Sequence, residues 1–485
     1  MNISKEEIIG ILSQFNPWWR GEGIPDLPSW RRAVFPELQG WIEAPPVHRA
    51  VLLSGARQVG KTTLFLQAIR ELLKKGVPAS NILYVTFDHP LLKLTGIEGI
   101  IDAWKEREPP KNGLEYLFLD EAQFIRNWGT WIKHQVDFSK QRRIVFTGSA
   151  MPLVEAEQES GVGRWHTIKL TTLSFYEYLN LKEVKLPDLP PIPSLRVLFE
   201  WAPRELYRSS EIIKPYVAHF HEYLIRGGFP QTARIESITQ AQRLLREDII
   251  DKVLKRDMTA LFGVRRILDL ESTFLYLCMH DGGLLDIPDL CKNLSVKRPT
   301  AQHFIELLEA IHLIYRLPPF GYGKGVLRAR YKIYLADAAI APAVLLKGKE
   351  IMGNATAFGA LIETCVFKHL FGRYYAQNVR FTYWRGKRGR EVDLVCEVGD
   401  QIIPFEIKYR ATHTGTSDLG GLTEICRDKQ IRRGYVVTKN LEDFGVSGMP
   451  GIPTTLMRIP APLLCYWMGE SELSLEPRKD GEETL

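Results

Sequence analysis

The sequence lacks several features that would fix its class at once. It has no run of about 18 uncharged apolar residues, so no segment reads as a membrane-spanning helix. The N-terminus, MNISKEEIIGILSQF, carries acids inside its first helical pattern and has no small-residue cleavage site, so no signal peptide is expected. Cysteine is scarce. The six (Cys278, Cys291, Cys365, Cys396, Cys426, Cys465) are scattered and none has C-x-x-C spacing, which argues against a zinc site or a disulfide framework. A reducing, cytoplasmic location follows as the simplest expectation. Nor is there a large surplus of one charge: 63 basic against 57 acidic residues give +6, which permits a nucleic-acid partner without demanding one.

What is present is a chain of 485 residues, 45% hydrophobic and 25% charged, the composition of a globular protein. That length is enough for about three domains. The sharpest motif is VLLSGARQVGKTTLFL at 51–66. An apolar strand leads into Gly55-x-x-x-x-Gly60-Lys61-Thr62, and a helical pattern follows. This strand–loop–helix context is that of a phosphate-binding loop. The glycines let backbone N–H groups turn toward an anion, and the helix aims its positive N-terminus at the same place. Gly55, Arg57, Gly60, Lys61, Thr62 and Thr63 are the candidate ATP-binding residues. Lys61 would reach the β- and γ-phosphates, and the Thr62 hydroxyl would ligate Mg²⁺. Arg57 reads either as a phosphate-side contact or as a loop anchor.

Further strands should supply the rest of the site. NILYVTFD (81–88) ends in Asp88. LEYLFLDEAQ (114–123) ends in two acids, about 60 residues downstream of the loop. Asp120 is placed to hold the Mg²⁺ shell and Glu121 to act as general base on the attacking water. RRIVFTGSA (142–150) ends in Thr147 and Ser149, hydroxyls able to orient that water. Ligand groups at the C-terminal ends of successive strands follow the rule for open α/β sheets.

GARQVGKTT, LFLDEAQ and FTGSA together resemble the ATPase domain of the bacterial and archaeal AAA-type ATPases that carry a C-terminal DUF4143 domain. FNPWWRG (15–21) and YLIRGGFPQ (223–231) resemble further signatures of that family. The resemblance spans nearly the whole chain and implies ATP binding and hydrolysis. It also points to Gly163-Arg164, where Arg164 reads either as a finger on the γ-phosphate of a neighbouring subunit, which needs a homo-oligomer, or as a surface arginine.

Beyond the ATPase core, LKEVKLPDLPPIP (181–193) holds four prolines and predicts a stiff, non-helical linker. A helix ending at Gly227-Gly228 follows, in which His219 and His221, two apart, cannot share a face. ITQAQRLLREDIIDKVLKRDMTAL (238–261) predicts an amphipathic helix with a solvated charged face. Residues 265–335 fit a helix-turn-helix with a wing. In DNA readers the N-terminal residues of the second motif helix face the major groove. Here these are Lys297, Arg298, Thr300, Gln302 and His303, with packing or partner binding as the plainer alternative.

GREVDLVCEVGDQIIPFEIKYR (389–410) pairs a strand bearing Asp393 with a strand bearing Glu406 and Lys408. Glu363 stands on the helix before them. The order resembles the PD-(D/E)xK nuclease fold, with EVD in place of the usual proline-containing motif. Carried over, Glu363, Asp393 and Glu406 would hold a divalent metal and Lys408 would support charge developing on phosphate. Strand alternation places Glu406 and Lys408 on one face and Glu391 and Asp393 on one face. Five of the residues 380–390 are basic, so Arg385, Lys387 and Arg388 would hold a phosphate backbone, with Trp384 available for stacking. The alternative is an exposed sheet face with a cross-strand ion pair.

The expected architecture is α/β and multidomain: a lead-in (1–48), a P-loop AAA-type ATPase core (49–180), a linker and helical lid (181–262), a winged helix (263–345), a restriction-endonuclease-like α/β domain (346–468) and a disordered acidic tail (469–485). Two functions follow. One is a cytoplasmic, Mg²⁺-dependent ATPase acting on or near DNA with a nuclease-like domain. The other is a nucleotide-controlled switch or scaffold whose C-terminal domain binds without cutting. ATP and Mg²⁺ are the expected cofactors.

Overall fold

The computed structural model describes residues 3–24, 27–111, 113–125, 127–148, 163–322, 330–386, 389–410 and 416–471. The chain divides into two compact units, one of residues 1–170 with 310–312, the other of residues 171–309 and 313–485.

The first unit is built on a sheet of order β2-β3-β4-β1-β5, where β1 is Ala50–Ser54, β2 Ile82–Thr86, β3 Glu115–Asp120, β4 Arg142–Gly148 and β5 Trp165–Lys169. Every neighbouring pair is parallel. Parallel strands are covered on both faces, which is why these read as near-continuous apolar runs rather than alternating ones. All five residues of β1 are buried. Leu52, Leu83, Leu117, Leu119 and Phe146 form one core with Trp104, Trp128 and the lead-in residues Ile8 and Leu12. Burying each such side chain stabilises by about 1.5–3 kcal/mol.

The lead-in motif has a definite task in this unit. β2 is an edge strand, with backbone groups open to unwanted pairing. Asn16 covers it: its Oδ1 accepts from Tyr84 N–H (2.7 Å) and its Nδ2 donates to Tyr84 C=O (2.8 Å). The Trp18 and Trp19 indoles both donate to Ile82 C=O, at 3.2 and 3.0 Å.

The second unit holds a six-stranded sheet of order β12-β13-β11-β10-β9-β8: β8 Arg380–Arg385, β9 Glu391–Val398, β10 Gln401–Lys408, β11 Arg433–Thr438, β12 Gly445–Gly448 and β13 Thr455–Pro460. β10, β11 and β13 run parallel, while β8–β9–β10 is an antiparallel meander. The helices Ile267–Met279, Ile287–Leu294 and Arg298–Ala310 precede an antiparallel pair, β6 (Ile314–Leu317) and β7 (Lys332–Leu335). Asp286 caps the second of these helices, accepting from Asp289 N–H at 3.0 Å. The helix expected over 238–261 is α-helical to Glu247, π-helical over Asp248–Asp257 and α-helical again from Met258.

The proline-rich stretch 181–193 is non-helical after its first residues, as its prolines require, yet it is not a free linker. Leu189 and Ile192 are buried, and the Trp467 indole donates to Pro190 C=O at 3.0 Å. The expected acidic tail begins inside the helix Ala461–Ser471; residues 472–485 lie outside the described residues, as do Ser149, Lys387 and Arg388.

Candidate functional site

In the first unit the loop between β1 and the helix Lys61–Lys74 turns through Gln58 (φ 63°) and Gly60 (φ 99°), both left-handed. Gly55 is required by close approach: a Cβ there would lie 2.2 Å from the Leu170 carbonyl oxygen. Lys61 is buried and donates to Gly55 C=O and Ala56 C=O, each at 2.8 Å, so the ammonium is held across the loop that a phosphate would fill. The Thr62 hydroxyl donates to Asp120 Oδ2 (2.7 Å), as does the Tyr84 hydroxyl (3.1 Å). The other carboxylate oxygen, Oδ1, accepts from the Thr147 hydroxyl at 2.5 Å. Burial, then the Asp120 charge, push the Tyr84 phenol far above its usual range, so it stays a donor.

Glu121 sits beside this cluster in a left-handed conformation (φ 55°). Its N–H donates to Thr147 Oγ1 (2.9 Å) and its Oε2 accepts from Gln123 Nε2 (2.5 Å). The donor set of Thr62 and Asp120, one hydroxyl and one carboxylate, fits the hard oxygen ligation that Mg²⁺ takes.

Other expected residues fall around this centre. Arg57 faces Asp88, with Nη2 3.5 Å from Oδ2. Arg164 lies elsewhere. Its carbonyl accepts from Ala50 N–H at the start of β1, whereas the loop leaves the end of that strand. At about 3.3 Å per residue the two are roughly 13 Å apart along the sheet, and the Arg164 side chain pairs with Asp137 (3.3 Å). Sequence reasoning passed over His312. Its Nε2 is 2.9 Å from Ser54 Oγ, and burial, then the Lys61 and Lys169 charges, pull its imidazole down to about 3.

In the second unit the acids expected to hold a metal do gather, around a cation the sequence did not indicate. Lys332 of β7, only 1% exposed, places Nζ 3.0 Å from Asp393 Oδ1, 3.0 Å from Glu391 Oε1 and 3.4 Å from Glu363 Oε2. Asp393 Oδ2 accepts from Ile407 N–H at 2.9 Å. Lys408 Nζ lies 2.5 Å from Glu406 Oε1, while Glu406 Oε2 is buried with no hydrogen-bond partner among the described residues. Burial and the Asp393 charge push the carboxyls of Glu363 and Glu406 up to about 8. The Lys332 ammonium lies in the gap between Asp393 Oδ1, Glu391 Oε1 and Glu363 Oε2, where an ion held by these acids would sit. The residues present therefore do not fit a metal ion at this centre.

Among the described residues, the grouping of His, Cys or carboxylate atoms close enough to share an ion is Cys365, His369 and Cys465. It does not fit one either. His369 Nε2 accepts from Phe175 N–H (2.9 Å), and its Nδ1 lies 2.7 Å from Cys365 C=O, which leaves no lone pair free. His219 and His221 are absent from any such grouping; His221 bonds the Tyr409 hydroxyl at 2.7 Å.

The expected nucleic-acid contacts divide. Lys297, Arg298, Gln302 and His303 are exposed around the first turn of the helix Arg298–Ala310. Arg385 is exposed at the end of β8, but Trp384 is half-buried against the core of Val392, Leu422 and Leu456.

The YLIRGGFPQ signature builds structure rather than chemistry. Gly227 (φ 91°) ends its helix, and a Cβ on Gly228 would lie 2.5 Å from the Leu173 carbonyl oxygen. Gly228 N–H donates to buried Asp337 (3.1 Å), which pairs with buried Lys368 (3.2 Å). Lys368 also donates to Thr172 Oγ1 (3.0 Å), Leu173 C=O (2.9 Å) and the Tyr223 hydroxyl.

Comparison with known proteins agrees with the first unit's geometry. A family model described as an AAA domain matches residues 47–179. Two domains of unknown function, DUF8612 and DUF4143, match 217–350 and 358–459. An uncharacterized protein of Haemophilus influenzae is 25% identical over 371 residues, 74% of this chain and 82% of that one. One of Mycobacterium tuberculosis is 27% identical over 381 residues, 76% of this chain and 72% of its own. Among solved structures, Saccharomyces cerevisiae Hsp104 from a complex with casein aligns at 15% identity and a TM-score of 0.28. That alignment covers 49% of this chain and spans 45% of the Hsp104 chain. No helix among the described residues is long and apolar enough to cross a membrane. The chain thus has a parallel α/β core within a region similar to an AAA domain, followed by regions similar to two domains of unknown function.

Proposed function

We propose that this protein binds ATP at the loop 55–62 and hydrolyses it in a Mg²⁺-dependent reaction. The observation that supports this best is the convergence of Lys61, Thr62, Asp120 and Glu121 on one sheet end, with Thr147 bonded to both acids. Lys61 exchanges its two carbonyl contacts for the β- and γ-phosphates, where its charge offsets the negative charge of the transition state. Backbone N–H groups of the loop and the N-terminus of the helix Lys61–Lys74 hold the same phosphates. Thr62 and Asp120 are the residues to hold Mg²⁺, which supplies charge neutralisation when bound. Glu121, fixed at its backbone by Thr147, orients water for in-line attack and takes its proton. Arg164, away from its own loop, is proposed to reach the nucleotide of a neighbouring chain.

The test is ATP turnover and fluorescent-nucleotide binding in Mg²⁺ and in EDTA. Lys61→Ala should lose both binding and turnover. Glu121→Gln should keep binding and lose about 10²–10⁴-fold in turnover. A Lys61→Ala protein that hydrolyses ATP at the wild-type rate refutes the proposal.

We infer that the second unit binds without cutting, so that the protein is a nucleotide-controlled switch or scaffold. Lys332 among the acids favours this over a nuclease. The exposed Lys297, Arg298 and Gln302 support DNA as the bound partner. DNA that raises ATP turnover without being cleaved is the expected result.

A further inference from the structure

The acidic centre of the second unit has the residues of a metal site and an unexpected occupant. Lys332 reaches it from outside the Glu363, Asp393, Glu406 and Lys408 pattern. Its strand is held on both sides. β7 pairs with β6, Leu317 opposite Lys332, and a bridge joins Lys332 to Leu284. Gly282 N–H donates to Ile333 C=O (2.8 Å), Ile333 N–H to Gly283 C=O (3.0 Å) and Leu285 N–H to Tyr331 C=O (2.8 Å). The side chain passes the Tyr334 ring, with Nζ 5.6 Å from its centre. The cation is thus delivered by clamped backbone into a buried space, unlike a surface lysine that could swing away.

Its position matters as much as its charge. Mg²⁺ binds oxygen at about 2.0–2.1 Å and asks for octahedral ligation. An ion on Asp393 Oδ1 and Glu363 Oε2 would need the gap in which Nζ already lies, 3.0 and 3.4 Å from those atoms. An ammonium and a divalent cation cannot share it. Ion and lysine also repel, so one excludes the other on charge as well as space. The remaining Asp393 oxygen is engaged by Ile407 N–H.

We propose that the Lys332 ammonium is the resident cation of this centre, standing where a divalent ion would bind and joining β7 to β9 and the helix Ala355–Tyr374 as a permanent, metal-free clasp. The nuclease-like pattern is then kept as an internal ion-pair network. This stands apart from the ATPase reading, since it involves no residue of the nucleotide site.

The test uses the full-length protein, free of nucleotide, titrated with Mn²⁺ and read by electron paramagnetic resonance. Wild type and Asp393→Asn should give the same isotherm, because any Mn²⁺ at the nucleotide site is common to both. Lys332→Met should gain one site that is lost again in Lys332→Met/Asp393→Asn. Binding in the wild type that Asp393→Asn removes would overturn the proposal, as would a folded Lys332→Met that gains no site. Should Lys332→Met fail to fold, thermal unfolding of Asp393→Asn in EDTA decides. A clasp loses an ion-pair partner, and Tm falls by several degrees. An empty metal site loses a repelling charge, and Tm rises, which would sink the idea.

Discussion

Glu406 shows how far a single side chain's chemistry depends on its neighbours. It is buried, with one oxygen on Lys408 and the other unpartnered among the described residues, and it faces Asp393 of β9 and, at longer range, Lys332 of β7. Burial and the Asp393 charge raise its carboxyl from 4.5 to about 8. The folded protein therefore keeps a proton that the unfolded chain releases, so stability falls as pH rises from about 5 to about 8. Glu406→Gln holds the neutral form at every pH. Thermal melts should match wild type near pH 5 and lie above it near pH 9; coincident curves at both pH values would show that Glu406 ionises normally. The same alternation that put Glu406 and Lys408 on one face was legible in PFEIKYR. The raised carboxyl was not, because it comes from burial and from the Asp393 charge on the neighbouring strand, both set by packing.

Elements here are joined by buried polar networks as well as by apolar cores. Lys368, on the helix Ala355–Tyr374, pairs with Asp337 and ties Thr172, Leu173 and Tyr223 to the Gly227-Gly228 turn. Removing one partner strands a buried charge, which costs about 3–5 kcal/mol. Lys368→Met should lower unfolding stability in urea by that amount, while ATP binding to the folded protein stays unchanged. A loss below about 1 kcal/mol would mean the pair is solvated. The double glycine was visible in the sequence as a helix end. Its reason for being glycine, the Leu173 carbonyl 2.5 Å from a would-be Cβ, required the tertiary contact. The lead-in FNPWWRG is similar: its side chains cover the β2 edge, which no local pattern announces.

At the scale of the whole molecule, the open question is whether chains cooperate. Arg164 stands at the opposite end of β1 from its own loop, so within one chain it lies away from where that loop would hold a γ-phosphate. If it acts on a neighbour's nucleotide, Arg164→Ala and Lys61→Ala should each be inactive alone. Mixed in equal amounts they should regain a fraction of wild-type turnover, through pairs with an intact loop on one chain and an intact arginine on the other. Mixtures as inactive as their components would assign Arg164 to its Asp137 pairing instead.

The sequence by itself determined the loop and strand ends proposed to bind nucleotide. A phosphate-binding loop is a local object, made by glycines, a lysine and a hydroxyl at fixed spacing between a strand and a helix, and later strand ends bring their acids to it by sheet topology alone. It also determined which faces of β9 and β10 carry charge, because the period of a strand is two. Only the tertiary structure decided what those charges face. Lys332 lies about 60 residues before Asp393, in a hairpin whose alternation gives no sign of its destination. Cys365 and Cys465 meet across 100 positions, with His369 already committed to backbone groups. A carboxylate cluster becomes a metal site or an ion-pair clasp according to which cation reaches it, and that depends on packing between elements far apart in the chain.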